Sequence, residues 1–231
     1  MQGMGKRLVI TVDGPAGSGK STVSRILADR ISYMYLDTGL LYRVVAYAAM
    51  QSAIALDDST ALEALCSRIT ILPRTADGNM NVLIDGEDVS GNVRTEEISM
   101  RASTISAVSA VRQALLLPQR NAGRDGGIVA EGRDMGTIVF PGADIKFFLD
   151  ADVDERAKRR YLQLMESGSN VDLDEIKRGL EARDSQDTQR KIAPLKPAGD
   201  SVIIDTTGID VDGVVEKMIT IVEKHTGQTR R

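Results

Sequence analysis

The amino-acid sequence predicts an α/β protein built around a parallel β-sheet, and three observations carry that prediction. Short apolar runs recur at Leu8–Val12, Tyr33–Leu36, Ile128–Ala130, Ile145–Leu149 and Val202–Ile204. Each leads into a turn or a helix-patterned stretch, the rhythm of strands joined by helical crossovers. Residues Gly14 to Ser21 read GPAGSGKS, a complete GxxxxGK[ST] string lying between the first run and the first helix pattern. A chain of 231 residues with 42% apolar composition can bury one large core without a disulfide or metal staple.

From Thr22 to Ile31, Val23, Ile26, Leu27 and Ile31 fall at helical spacing, so this helix lays an apolar face on the sheet. Its N-terminus is thereby aimed at ligand. Gly14, Pro15, Ala16, Gly17, Ser18 and Gly19 wrap the backbone tightly, so that loop N–H groups, with those of Lys20, Ser21 and Thr22, point at phosphate oxygens. Lys20 adds a mobile positive charge, and the Ser21 hydroxyl is suited to ligate Mg²⁺. The plain alternative is a glycine-rich turn, but strand, loop and helix all stand where a nucleoside triphosphate site needs them.

The second run ends in LDTGLLYR, residues 36–43. Its polar groups emerge at the carboxyl end of a strand, where open α/β sheets bind ligands. There Asp37 can hold Mg²⁺ through water, Thr38 can cap the next helix, and Arg43 can reach a phosphate. A helix over Leu40–Met50 is followed by a second one whose start carries a capping box of Thr60 and Glu63. Cys66, the single cysteine, sits among Leu62, Leu65 and Ile69 and reads as a small buried hydrophobe. Next comes a hairpin of Ile69–Leu72 and Asn81–Ile84, turning at Ala76-Asp77-Gly78-Asn79 and closed by Asp85-Gly86, inserted into the scaffold.

The third run ends in Glu131-Gly132-Arg133-Asp134-Met135-Gly136-Thr137, which puts an Arg–Asp pair at the same sheet edge. A guanidinium offers paired donors to phosphate, and a carboxylate can accept from an exocyclic amine such as that of cytosine. Arg156, Arg159 and Arg160 share one face of a helix, and Arg183, Asp187 and Arg190 share a face of another. Solvated helices with salt bridges would explain both sets, but arginines so placed can also embrace a transferring phosphoryl group.

Composition excludes other chemistries. A net charge of −4, with five tyrosines, three phenylalanines and no tryptophan, opposes a nucleic-acid groove. The one histidine, His225, lies beside the polar stretch HTGQTRR and reads as solvated. No apolar stretch is long enough for a signal peptide or a bilayer span, so a soluble cytoplasmic chain is expected. A kinase for another small acceptor and a nucleotide-operated switch remain open on these residues, although the GTPase string NKxD is absent.

Taken together, GPAGSGKST at 14–22, LDTGLLYR at 36–43, EGRDMGTIVFP at 131–141 and ARDSQDTQRKIAPL at 182–195 resemble the bacterial cytidylate kinases. The resemblance spans nearly the whole chain and includes the insert with DGEDVSGNVRT at 85–95. It implies one three-layer P-loop NTPase-type domain with a five-stranded parallel sheet, whose core comes from 5–37, 109–154 and 191–226. It adds a nucleoside-monophosphate-binding arm over 38–108, including the insert at 69–94, and a mobile arginine-bearing lid over 155–190. By that resemblance Ser103, Arg112 and Asp134 read the cytosine ring, Asp187 binds the sugar, and Tyr42 lines the acceptor pocket. Arg43, Arg133 and Arg190 hold the acceptor phosphate, with Arg183 beside them, and Arg156, Arg159 and Arg160 belong to the lid. Thr38 stands where the family usually has serine, and Pro118 interrupts the pattern Val111, Leu115, Leu116, so it should kink or end that helix. The implied reaction is Mg²⁺-dependent phosphoryl transfer from ATP to CMP and dCMP, by a monomer, with no strong base required.

Overall fold

The computed structural model describes residues 7–76, 79–166, 168 and 171–227. In chain order its first elements are β1 (Val9–Asp13), α1 (Lys20–Arg30), β2 (Met34–Asp37), α2 (Thr38–Gln51) and α3 (Ser59–Arg68), then β3 (Ile71–Ala76), β4 (Asn79–Ile84) and β5 (Glu87–Asp88). There follow α4 (Glu96–Ile105), α5 (Ser109–Ala122), β6 (Ile128–Gly132), β7 (Ile145–Asp150), α6 (Val153–Glu166), α7 (Leu173–Gln189), β8 (Val202–Asp205) and α8 (Val211–Thr226).

The expected five-stranded parallel sheet is present, with strand order β2-β6-β1-β7-β8. All four neighbouring pairs run parallel. Every residue of β6 is buried, which is why the inner strands read as unbroken apolar runs rather than alternating ones. On one face α1 and α8 contribute Leu27, Val215 and Met218 to a core shared with Ile10, Phe147 and Leu149. On the other, α2, α4 and α5 bring Leu40, Val44, Ile98 and Val111 against Leu36, Ile128 and Ala130. Each side chain so buried contributes about 1.5–3 kcal/mol. The segment 38–108 therefore shares its core with one face of the main sheet.

The insert is a three-stranded antiparallel sheet, β3-β4-β5. Asp85-Gly86, expected to close the hairpin, instead turns the chain into β5, with Ile84 opposite Glu87 and φ values of 50° and 93° at the turn. Two consecutive positive φ values make the tight turn that matches strand twist. The central turn residues Asp77 and Gly78 lie outside the described residues, as do Met1–Lys6, residues 167, 169 and 170 of the lid segment, and 228–231.

Three local expectations are corrected, and of the two alternatives at Pro118 one is excluded. α1 begins at Lys20, two residues before the apolar pattern, because left-handed Gly19 caps it. α3 is capped by Asp58, whose carboxylate accepts from Ala61 N at 2.9 Å, so Thr60 and Glu63 form no capping box. α2 is capped by Asp37 rather than Thr38, since the Asp37 carboxylate accepts from Leu40 N at 2.9 Å. α5 does not end at Pro118 but runs through it to Ala122. Pro118 has no N–H to offer Ala114 O, and in the same turn Gln119 Nε2 donates to Leu115 O at 2.8 Å. Cys66 is partly buried against the core, and burial pushes its thiol up.

Candidate active site

The phosphate loop leaves the carboxyl end of β1 and wraps around the start of α1. Gly14 has φ 148°, and a Cβ there would stand 2.0 Å from Leu149 O, so only glycine allows the loop to cross β7 this closely. Lys20 is buried, and its ammonium donates to Pro15 O at 2.5 Å and to Ser18 Oγ at 3.3 Å. Burial lowers its pKa, with help from Arg133 and Arg183 and against Glu131 and Asp13, to about 7. A cation held at such cost is poised for an anion that restores its charge.

Beside the loop lies a cavity of about 1280 Å³, lined by Ala16, Gly17, Ser18, Gly19, Lys20, Ser21 and Thr22 on one side. Thr38, Tyr42, Arg43, Ser103, Arg112, Arg133, Asp134, Arg183, Asp187 and Arg190 line the same space. Gly14 and Pro15 sit behind the surface and shape the loop.

Two of the residues put forward for the base, Arg112 and Asp134, are paired, with Tyr42 beside them. Arg112 donates to Asp134 Oδ2 and, through Nη1, to Ser106 O at 3.0 Å, while its guanidinium lies 5.7 Å from the Tyr42 ring centre. Burial pushes the Asp134 carboxyl up, against the pull of Arg112, Arg190 and Arg133. Ser103 Oγ donates to Gln186 Oε1 at 3.2 Å. The proline in α5 therefore leaves Arg112 inside the site.

Of the arginines put forward for the acceptor phosphate, Arg133, Arg183 and Arg190 gather about Asp187, while Arg43 stands 3.7 Å from Asp37. Arg133 Nε donates to Asp187 Oδ2 at 2.8 Å, and Arg190 Nη1 stands 3.7 Å from Oδ1. Burial raises the Asp187 carboxyl, but Arg133, Arg183 and Arg190 outweigh it and hold the group below its usual value. Arg183 is driven down to about 10 by burial, with Arg133 and Arg43 adding repulsion. Arg183 Nε and Arg190 Nη2 are buried donors with no hydrogen-bond partner among the described residues. Unsatisfied buried donors cost about 1–3 kcal/mol each, which an incoming oxyanion would recover.

The three arginines of α6 separate in space. Arg159 and Arg160 line the cleft, but Arg156 does not. It is buried, donates to Ala151 O at 2.9 Å and Ala16 O at 3.0 Å, and pairs with Asp184 at 2.6 Å. Arg156 ties α6 and α7 to the back of the phosphate loop. The apolar contact there is small, formed by Ala16, Ala157 and Leu180. Arg159 donates to Thr206 O at 2.6 Å and Oγ1 at 3.0 Å, and Arg160 reaches Glu96 of α4 at 2.6 Å.

Sequence reasoning missed Glu131. Its carboxylate accepts from Ser21 Oγ at 3.0 Å and from the Tyr35 hydroxyl, and burial with the nearby Asp37 raises its pKa. Thr38 Oγ1 donates to Glu131 O at 2.7 Å. The position of Glu131 at a strand's carboxyl end was the available signal. Thr206, Ile209 and Val211, after β8, also line the cleft and were not singled out.

The oxygen donors fit Mg²⁺, which prefers oxygen and is usually held by one or two carboxylates with substrate phosphates. The Ser21 hydroxyl would bind it directly, with Asp37 and Glu131 placed to hold its waters. Among the described residues no group of three or more histidine, cysteine or acidic side chains could hold a metal unaided.

A triphosphate cradle facing a second, arginine-rich anion site across one cleft defines a phosphoryl-transfer enzyme of the P-loop kinase class. A family model described as cytidylate kinase matches residues 10–224. The cytidylate kinase of Syntrophotalea carbinolica is 50% identical over 95% of this chain and 93% of its own length. That of Pasteurella multocida is 45% identical over 96% and 98%. A solved structure of an uncharacterized protein from Eubacterium ventriosum shares the fold, with a TM-score of 0.51 at 14% identity, covering 94% of this chain and 99% of that one. The chain belongs to the cytidylate kinase family.

Proposed function

We propose that the chain moves the γ-phosphoryl group of ATP to the phosphate of CMP, giving ADP and CDP. The observation that carries this reading is the gathering of Lys20, Arg133, Arg183 and Arg190 around one cleft, where burial first and Arg133 second lower both Lys20 and Arg183. Such crowding is tolerated where two anionic substrates neutralise it. ATP would lie along Gly14–Thr22, with its nucleoside toward Arg159 and Thr206. CMP would lie opposite, its base on Ser103, Arg112 and Asp134, its sugar at Asp187, and its phosphate between Arg43, Arg133 and Arg190.

An acceptor phosphate is already nucleophilic, so positioning and charge stabilisation carry the rate. Arg133, Arg183 and Arg190 would share the charge that develops on the equatorial oxygens, and Lys20 would follow the transferring group. Bound Mg²⁺ supplies Lewis-acid stabilisation of phosphate oxygens. Segment 38–108 serves as the acceptor arm and 155–190 as the lid, whose thin apolar contact with the core leaves it free to close over both substrates and exclude water. dCMP is a second acceptor on this reading, because the groups around base and phosphate outnumber the one at the sugar. All these groups come from one chain, so a monomer suffices, and no described helix is long and apolar enough to cross a membrane.

The test is ADP release from Mg·ATP with each nucleoside monophosphate in turn. CMP and dCMP are expected to be fast, and UMP to be disfavoured by up to roughly 10⁴ in kcat/KM, because it leaves buried polar groups unpaired. Equal rates with AMP or UMP would move the substrate elsewhere, and ADP release insensitive to CMP would make the chain a nucleotide switch.

A further inference from the structure

Asp13 is the last residue of β1, next to Gly14, and is buried with no place on the wall of the cleft. Its Oδ1 accepts from Met135 N and its Oδ2 from Gly136 N, both at 2.8 Å. Those amides open a one-turn π-helical segment, Met135–Val139, that follows β6. On the near side Gly132 is held in register opposite Asp13 by the β1–β6 ladder, and Glu131 O is pinned by Thr38. Arg133 and Asp134 thus form a short arch fixed at both ends. The carboxylate fixes one end, and the sheet fixes the other.

We infer that Asp13 is a positioning residue for the acceptor base: by holding Met135 and Gly136 it sets where Asp134 meets Arg112, and it ties that geometry to the strand that launches the phosphate loop. The inference rests on the base-reading role of Asp134 proposed above. Three further observations support it. Gly136 sits so close to β1 that a Cβ would come within 3.1 Å of Thr11 Oγ1, leaving the segment little freedom once Asp13 grips it. Asp134 O accepts from Ile138 N at 2.9 Å and Val139 N at 3.1 Å, so the same turn carries the Asp134 backbone. Burial pushes the Asp13 carboxyl up to about 6 against the pull of the two amides, a cost to stability that plain scaffolding would avoid.

The test is Asp13→Asn, which keeps one acceptor oxygen and turns the other toward an N–H as a donor. KM for CMP is expected to rise about tenfold or more and the CMP-over-UMP preference to fall, while KM for ATP stays within about twofold. A purely structural loss would instead lower kcat through a smaller active fraction, with both KM values and the preference unchanged, and that result overturns the inference. Asp13→Glu, which keeps the charge on a longer stem, should recover part of the CMP affinity. If neither variant folds, hydrogen exchange in the wild-type protein decides: slow exchange at Met135 and Gly136 amides supports the grip, and fast exchange refutes it. Asp134→Ala serves as the control. If Asp134→Ala leaves the preference intact, the base-reading role fails. If it abolishes the preference while Asp13→Asn does not touch it, only the inference about Asp13 fails.

Discussion

Arg133 and Asp187 are joined at 2.8 Å, Nε to Oδ2, and this contact links the carboxyl end of β6 to the last turn of α7. One carboxylate thereby serves as counter-ion to Arg133, Arg183 and Arg190. Acceptor binding must divide the arginines between Asp187 and the incoming ester, so removing Asp187 leaves like charges unbalanced and misplaced.

Asp187→Ala is expected to lower kcat/KM for CMP by about 100-fold, roughly 2.7 kcal/mol of transition-state stabilisation, with KM for ATP little changed. Asp187→Asn should lose less, because the amide oxygen still accepts from Arg133. Steady-state kinetics with each substrate varied in turn checks both. An unchanged KM for CMP in the alanine variant would remove Asp187 from the acceptor site.

Glu131→Gln replaces one acceptor oxygen beside Ser21 and Tyr35 by a donor. The Mg²⁺ concentration for half-maximal rate should rise several-fold and kcat should fall by about tenfold to 100-fold, as for changes to groups that orient metal ligands. Titration of Mg²⁺ at saturating nucleotide measures this. An identical Mg²⁺ curve would show that Glu131 only holds Tyr35.

Arg156 and Arg160 give opposite expectations although they are neighbours on α6. Arg156→Ala strands the partly buried Asp184 and the carbonyls of Ala16 and Ala151, and should cost about 3 kcal/mol in urea unfolding. Arg160→Ala breaks a solvent-exposed pair with Glu96 and should cost no more than about 1 kcal/mol. Equal losses would show that the lid helices are not anchored through Arg156.

That contrast marks the limit of what the sequence discloses. The inner strands β1, β6 and β7 were legible because both their faces are covered, so burial writes itself as a continuous apolar run; β8 is an edge strand whose Val202 and Ile203 stay exposed. The phosphate loop was legible because its spacing and its place between strand and helix are local. Arg156, Arg159 and Arg160 share one helical face, and nothing local says which of them turns under α7. Asp37 and Thr38 are adjacent candidates for one cap. The choice is settled by Glu131 O, far along the chain, which takes the Thr38 hydroxyl. Asp58 lies two residues before Thr60, and the motif with Glu63 favoured the wrong one because the backbone enters α3 at Ser59. The sequence placed Glu131 at a strand's carboxyl end, but its partners Ser21 and Tyr35 are brought to it by the fold.

The Asp13 carboxyl sets a pH dependence of stability. Its pKa is raised from 3.8 to about 6, by burial first and Asp134 second, against the Gly136 and Met135 amides and Lys20. Between those values the folded protein binds a proton that the unfolded chain has released, so this group's contribution falls as pH rises from about 4 to about 6. The whole change is about 3 kcal/mol at most. Asp13→Asn should flatten that part of the curve of unfolding free energy against pH. Parallel curves for the two proteins would contradict the assignment.

The most direct measurement uses an inhibitor in which adenosine and cytidine are joined by a chain of five phosphates. It should compete with both ATP and CMP, and both Lys20→Ala and Arg133→Ala should weaken it by roughly 100-fold, as expected when a charge-assisted contact of about 2.7 kcal/mol is lost. Competition with only one substrate, or full affinity in Arg133→Ala, would show that the two anions do not meet in this cleft.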